Sequence, residues 1–129
     1  MRIGETAAAA GLTTKTLRFY EDRGLLPEPD RAPNGYRDYA PETVSRLEFI
    51  RRGRTAGLTL AQIRDVLSVR DIGLAPCGHV RDLLAKQLTD LDTQIAELTA
   101  LRATVAEIHD AAAVGDPAAC DAELICSYL

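Results

Sequence analysis

Tryptophan is absent from the 129-residue chain, methionine occurs once, and the aromatic share is 5%, made of two Phe and four Tyr. A core built on aromatic bulk is therefore excluded, and burial must come from aliphatic side chains. No apolar run approaches the 18 or so residues that a membrane-spanning helix needs, and the opening MRIGETAAAAG has neither a basic start nor a long apolar stretch. A cytoplasmic protein with no membrane partner is the expectation. Cysteine occurs three times, an odd number that cannot pair completely within one chain. In a reducing compartment such thiols point to metal binding or redox sensing ahead of a disulfide scaffold.

A chain of this length holds one domain, or a small domain plus an extended element, so a two-domain enzyme is not expected. The net charge of −4 conceals an asymmetry. Residues 1 to 70 carry twelve Lys or Arg against nine Asp or Glu, a balance of +3, while residues 71 to 129 carry three against ten, a balance of −7. Phosphates respond to the local field of the first part, so an acidic total does not oppose DNA binding.

Apolar spacing and turn residues predict four short helices in the first 70 residues. Ile3, Ala7 and Ala8 fit a first helix, Gly11 a tight turn, and Thr13 or Thr14 the cap of a second helix running to about Arg23. Two short helices joined by a glycine turn suggest a helix-turn-helix. The following stretch, RGLLPEPDRAPNGYRDYA, contains an Asn34-Gly35 pair, the strongest short-range hairpin signal because both residues tolerate positive φ. A small two-stranded wing is therefore predicted, with Tyr36 and Arg37 just past its tip. Helices three and four are predicted from Pro41 to about Thr55 and from Thr59 to about Arg70, separated by Gly57.

Beyond a linker over residues 71–78, Val80, Leu84, Leu88, Leu91, Ile95, Leu98, Leu101, Val105, Ile108 and Ala112 recur at steps of three and four. That near-heptad seam predicts a helix over 79–112, a rod of roughly 50 Å at 1.5 Å per residue. So long a stripe cannot be buried on a 70-residue domain alone, which implies a parallel or antiparallel coiled coil with a second copy, the alternative being one long helix packed within a monomer. Residues 113–129 read as a loop, AAAVGDPAACDAE, ending in a short helix, ELICSYL.

Two groups of residues carry chemistry. Lys15, Arg18 and Tyr20 fall on the second helix, Tyr36 and Arg37 on the wing, and Arg51, Arg52 and Arg54 on the third helix. Cations neutralise phosphates and release counterions, and tyrosine hydroxyls position the backbone. The second group is Cys77 and His79 at the start of the rod, with Cys120 and Cys126 beyond its other end. A nucleophile and base pair formed by Cys77 and His79 is not expected, since residues two apart on a helix face different ways. No catalytic residue is assigned.

The segments IGETAAAAGLTTKTLRFYEDRGLLPEP and APNGYRDYAPETVSRLEFIRRGRTAGLTLAQIRDVL, with R-F-Y-E, G-L-L and N-G-Y-R-D-Y intact, resemble the MerR family of transcription activators over about residues 1 to 112. The resemblance implies a mainly α fold: a winged helix-turn-helix DNA-binding domain (1–70), a long antiparallel coiled-coil dimerisation helix, and a C-terminal metal-binding loop with a short helix. It further implies a homodimer on double-stranded promoter DNA that distorts an overlong spacer when its effector binds, so that RNA polymerase engages both promoter elements. Lys15, Arg18, Tyr20, Tyr36 and Arg37 would contact the DNA.

In metal-sensing members of that family, the position of Cys77 supplies a thiolate across the interface to a loop of the partner subunit, where copper-type sensors usually have Ser. Cys77 thus implies a divalent soft or borderline ion: zinc, cadmium, lead or mercury. An antiparallel pairing would bring Cys77 of one subunit to Cys120 and Cys126 of the other, giving two equivalent sites. His79 is a candidate fourth ligand, or else a capping or solvent-facing residue. Family members usually carry a first loop Cys directly after the dimer helix, where HDAAAVGD has none. A thiol-based sensor of oxidants or electrophiles on the same scaffold is the alternative.

Overall fold

A computed structural model describes residues 1–129, the side chain of Pro117 excepted. Its helices are α1 (Ile3–Ala9), α2 (Thr14–Asp22), α3 (Glu42–Thr55), α4 (Leu60–Asp71) and α5 (Cys77–Val114). Two-residue strands β1 (Asp30–Arg31) and β2 (Arg37–Asp38) make an antiparallel hairpin between α2 and α3. The fold is mainly helical. No helix among the described residues is long and apolar enough to cross a membrane.

Local chemistry accounts for each boundary in the first part. Gly11 takes φ +71 between α1 and α2, a left-handed conformation that costs glycine nothing. Thr13 accepts a hydrogen bond from the Thr16 amide and starts α2. At the hairpin tip Gly35 has φ +82, and the Asn34 side chain accepts from the Tyr36 amide. Thr59 and Gln62 form a reciprocal capping box at the start of α4, at 3.1 and 2.9 Å. Pro41 stands at the N-cap of α3, one position before the first helical residue.

The core is aliphatic with two tyrosines: Leu17, Leu25, Leu47, Ile50, Ile63 and Val66 are essentially inaccessible, and Tyr20 and Tyr39 are buried among them. Gly53 lets α3 approach α4 so closely that a Cβ there would lie 2.9 Å from Ile63 Cδ1. Arg46 of α3 ties three segments together. Its Nε donates to the Leu25 carbonyl at 2.6 Å, and its two terminal nitrogens meet the Asp71 carboxylate at 2.7 and 3.1 Å.

The chain divides into two units, Met1–Gln87 and Leu88–Leu129. The reason lies in the first turns of α5. Leu83 packs against the core, and the Gln87 amide donates to the Ala56 carbonyl in the α3–α4 turn. α5 begins at Cys77, two residues before the expected start, because the Pro76 carbonyl already accepts from the Val80 amide. Cys77 therefore joins His79 in the first helical turn instead of ending the linker.

In the second unit, the rest of α5 leaves its apolar seam open: Leu88, Ile95, Leu98, Leu101 and Val105 are each more than half exposed. A short 3-10 turn, Pro117–Ala119, follows. Gly115 accommodates the Tyr128 hydroxyl, which a Cβ at that position would overlap. The expected terminal helix over ELICSYL is not formed; the segment runs in turns and bends. Seven residues fall short of the length at which a helix sustains itself, and Leu124, Ile125 and Leu129 bury nothing that would compensate.

Candidate nucleic-acid interface and thiol ligands

Lys15 and Arg18 project from α2 into solvent. Tyr20, on the same helix, is only 8% exposed and belongs to the core, so what it can offer to a ligand is limited to a small edge. Tyr36 at the hairpin tip is 63% exposed. Arg18, Tyr36 and Arg37 line one open cleft with two residues that sequence reasoning missed, Arg2 and Arg31. The Arg2 guanidinium lies 5.1 Å above the Tyr36 ring, a cation–π contact, and Arg31 donates to the Gly35 carbonyl at 3.1 Å. Among the described residues, Arg2, Arg18 and Arg31 form no ion pair with a carboxylate. The Asn34-Gly35 signal puts Arg31 on the strand before the turn, which could have drawn attention to it; the register that sets it opposite Arg37 was not legible. Arg2 carried no such signal.

Arg37 is held differently. Its guanidinium donates to Glu21 Oε2 at 3.0 Å, and the Tyr39 hydroxyl donates to the same oxygen at 3.0 Å. Tyr39, then Glu21, hold the Arg37 guanidinium still more firmly protonated. Burial is the main reason the Tyr39 phenol is pushed above its ordinary range, and its hydrogen bond to Glu21 adds to this. On α3, Arg51 and Arg52 are exposed, while Arg54 spends a donor on the Leu58 carbonyl at 2.9 Å.

The three thiols are free and exposed. Cys120 Sγ lies 3.5 Å from Ser127 Oγ in the C-terminal segment. Cys77 and His79, both within α5, stand about 200° apart around the helix axis and do not face a common point. Among the described residues of one chain, no group of three or more His, Cys, Asp or Glu side chains is placed to hold a metal ion. His109 is a surface residue beside Asp110, at 3.4 Å.

A helix-turn-helix with a hairpin carrying Arg31 and Arg37 at its side is the architecture of a winged helix-turn-helix DNA-binding protein. The chain belongs to the MerR family of transcription regulators: the family description "MerR HTH family regulatory protein" matches residues 1–69, and "MerR, DNA binding" matches residues 44–108. These are DNA-binding regulators, not enzymes. The chain is similar to the transcriptional regulator HmrR of Rhizobium leguminosarum, with 42% identity over 81% of each chain. It is also similar to the mercuric resistance operon regulatory protein of Bacillus cereus, 37% identical over 84% of this chain and 83% of that one. Among solved structures, the regulator PbrR691 from Ralstonia metallidurans in complex with lead(II) superposes with a TM-score of 0.77 and 37% identity, covering 100% of this chain and 96% of that one.

Proposed function

We propose that this protein is a metal-responsive regulator that binds promoter DNA as a homodimer and activates transcription when a divalent soft or borderline ion, zinc, cadmium, lead or mercury, binds. Arg2, Arg18, Arg31, Tyr36 and Arg37 of the cleft, with Lys15 beside them, grip backbone phosphates, and Tyr20 supports the helix from beneath. The homodimer forms along α5. Seven apolar side chains from Leu84 to Val105 stand 40% or more exposed there. Covering them is worth on the order of 1 kcal/mol each, half of what full burial of such a side chain gives.

The observation that carries the sensing role is the set of three free, exposed thiols flanking a helix whose seam is uncovered. Three polarizable sulfurs suit these ions, and exposure leaves each accessible to an arriving ion. Cys77 of one subunit with Cys120 and Cys126 of the other would form the site. His79, turned away from Cys77 on the helix, is the weakest member of the set. A bound ion would fix the two subunits' contacts and so change how the two DNA-binding units meet an overlong promoter spacer, from which RNA polymerase then starts.

Native mass spectrometry of the dimer under strong reductant, with zinc, cadmium, lead, mercury and copper in turn, tests this. Two ions per dimer of one or more of the divalent metals, and none in Cys77→Ser, are the expected outcome. Unchanged metal uptake in Cys77→Ser would overturn the shared site, and a monomer would overturn the dimer.

A further inference from the structure

Glu21 sits on α2, on the side that meets Arg37 and Tyr39 of the hairpin, where a carboxylate would oppose the approach of phosphates. We propose that Glu21 is a positioning residue for DNA binding: it pins Arg37 and Tyr39 of the hairpin to α2, so that hairpin and helix present one rigid basic surface. The proposal rests on the DNA-binding reading of that surface.

The hairpin needs such a pin. Each strand has two residues, far too few for independent stability. Its register also sets like charges opposite each other, Asp30 against Asp38 and Arg31 against Arg37, and such pairs destabilise a ladder. Its orientation therefore depends on ties from outside. Asp38 meets the Met1 amine at 2.7 Å, and the Tyr39 amide donates to the Met1 carbonyl at 2.7 Å. Those ties lead to the segment before α1. Among the described residues, the hydrogen bonds from the hairpin's own side chains to α2 are the two that converge on Glu21 Oε2. The Glu21 side chain is 12% exposed, so its charge is largely withdrawn from solvent and is answered by two donors. Tyr39 is 2% exposed and anchors the base of the hairpin in the core, which fixes where Glu21 and Arg37 meet.

Charge alone and positioning predict opposite signs for the same substitution. If Glu21 acts only as a negative charge near phosphates, removing it tightens DNA binding and makes the logarithmic salt slope steeper by up to about 1. If it positions Arg37, removing it weakens binding by about tenfold and makes the slope shallower by about 1, since one phosphate contact is lost.

The test is fluorescence anisotropy of the full-length protein on a labelled random-sequence duplex of about 30 base pairs, over a salt series. Glu21→Ala, Arg37→Ala and the double variant are compared, with Glu21→Gln and Tyr39→Phe as milder changes and circular dichroism as the check on folding. The expected result is a loss in Glu21→Ala that all but disappears, to under about twofold, when Arg37 is already Ala. Glu21→Gln, which keeps an acceptor but loses the charge, is expected to fall between wild type and Ala. Tighter binding in Glu21→Ala, or an equal loss with and without Arg37, would overturn the proposal. Arg31→Ala serves as the separate control: wild-type protein that shows no salt-dependent binding, and no loss in Arg31→Ala, would sink the DNA-binding reading itself.

Discussion

Arg46 serves two acceptors with one guanidinium, and the structure says which of them matters more. Nε donates at 2.6 Å to the carbonyl of Leu25, a residue 1% exposed, while Nη1 and Nη2 both donate to Asp71, whose side chain is 51% exposed. A charge-assisted hydrogen bond to a buried carbonyl is worth about 1.5–3 kcal/mol. An ion pair with a partner half in water is worth about 0.2–1 kcal/mol after screening. Arg46→Ala should therefore cost about 2–4 kcal/mol, and Asp71→Asn only about 0.5. Acid separates the two contributions. The Arg46 hydrogen bond holds the Asp71 carboxyl below the usual carboxylate range. Its folded value being depressed, its contribution is present above the unfolded value of about 3.9 and is lost as pH falls through the folded one. The Leu25 carbonyl does not titrate. Urea unfolding at one fixed protein concentration, at neutral pH and near pH 3, should show the Asp71→Asn deficit fading in acid while that of Arg46→Ala persists. An Asp71→Asn cost equal to that of Arg46→Ala, or an Arg46→Ala deficit that vanishes in acid, would refute the assignment.

Gly53→Ala should destabilise by about 1 kcal/mol in the same assay: helix propensity gains about 1, but the new methyl overpacks Ile63, 0% exposed, for about 1–3. Ile63→Val, which removes one of the two atoms in the way, should recover much of that loss in the double variant. Arg31→Ala and Arg2→Ala should each weaken binding to duplex DNA and lower the salt slope by about 1, as read by anisotropy across salt concentrations. Burial raises the Tyr39 phenol, so its contribution to stability is fully present below its unfolded value of about 10 and is lost as pH rises through the folded one. Urea midpoints for Tyr39→Phe should lack that alkaline decline. A wild-type midpoint flat through the same range would contradict it.

The parts of the fold that depend on near neighbours in sequence were legible. Thr13, Asn34-Gly35, Thr59 with Gln62, and Gly57 act through caps and turns whose partners lie within four residues, so their spacing announces them. The seam of α5 was legible because its period is regular. What sequence could not supply were meetings between distant residues. Arg46 reaches Leu25 and Asp71 across 21 and 25 positions, and Glu21 reaches Arg37 and Tyr39 across 16 and 18. Without those contacts Glu21 is one more acidic side chain on α2, when it is the acceptor shared by Arg37 and Tyr39. The burial of Tyr20 was not legible for the opposite reason: its spacing on α2 fits the basic face as well as the core, and only the packing shows it clustered with Leu17 and Leu25.

Taken alone, one chain leaves three unfavourable features unresolved. Arg2, Arg18 and Arg31 line a cleft that also holds Glu5 and Arg37, and among the described residues none of the three is ion-paired. The α5 seam faces water, and the thiols have no ligand set within reach of one another. Each feature specifies what would relieve it: a polyanion for the arginines, a second apolar seam for the helix, a soft cation for the sulfurs. On the proposed reading these reliefs are coupled through α5, whose first turn holds Cys77 and whose third turn is fastened to the α3–α4 turn by Gln87. Covering the seam with a second copy doubles the basic face and brings sulfurs from two chains into play. A force exerted on the first turn of that helix is thus delivered, within about 15 Å of helix rise, to the helices that support the basic face.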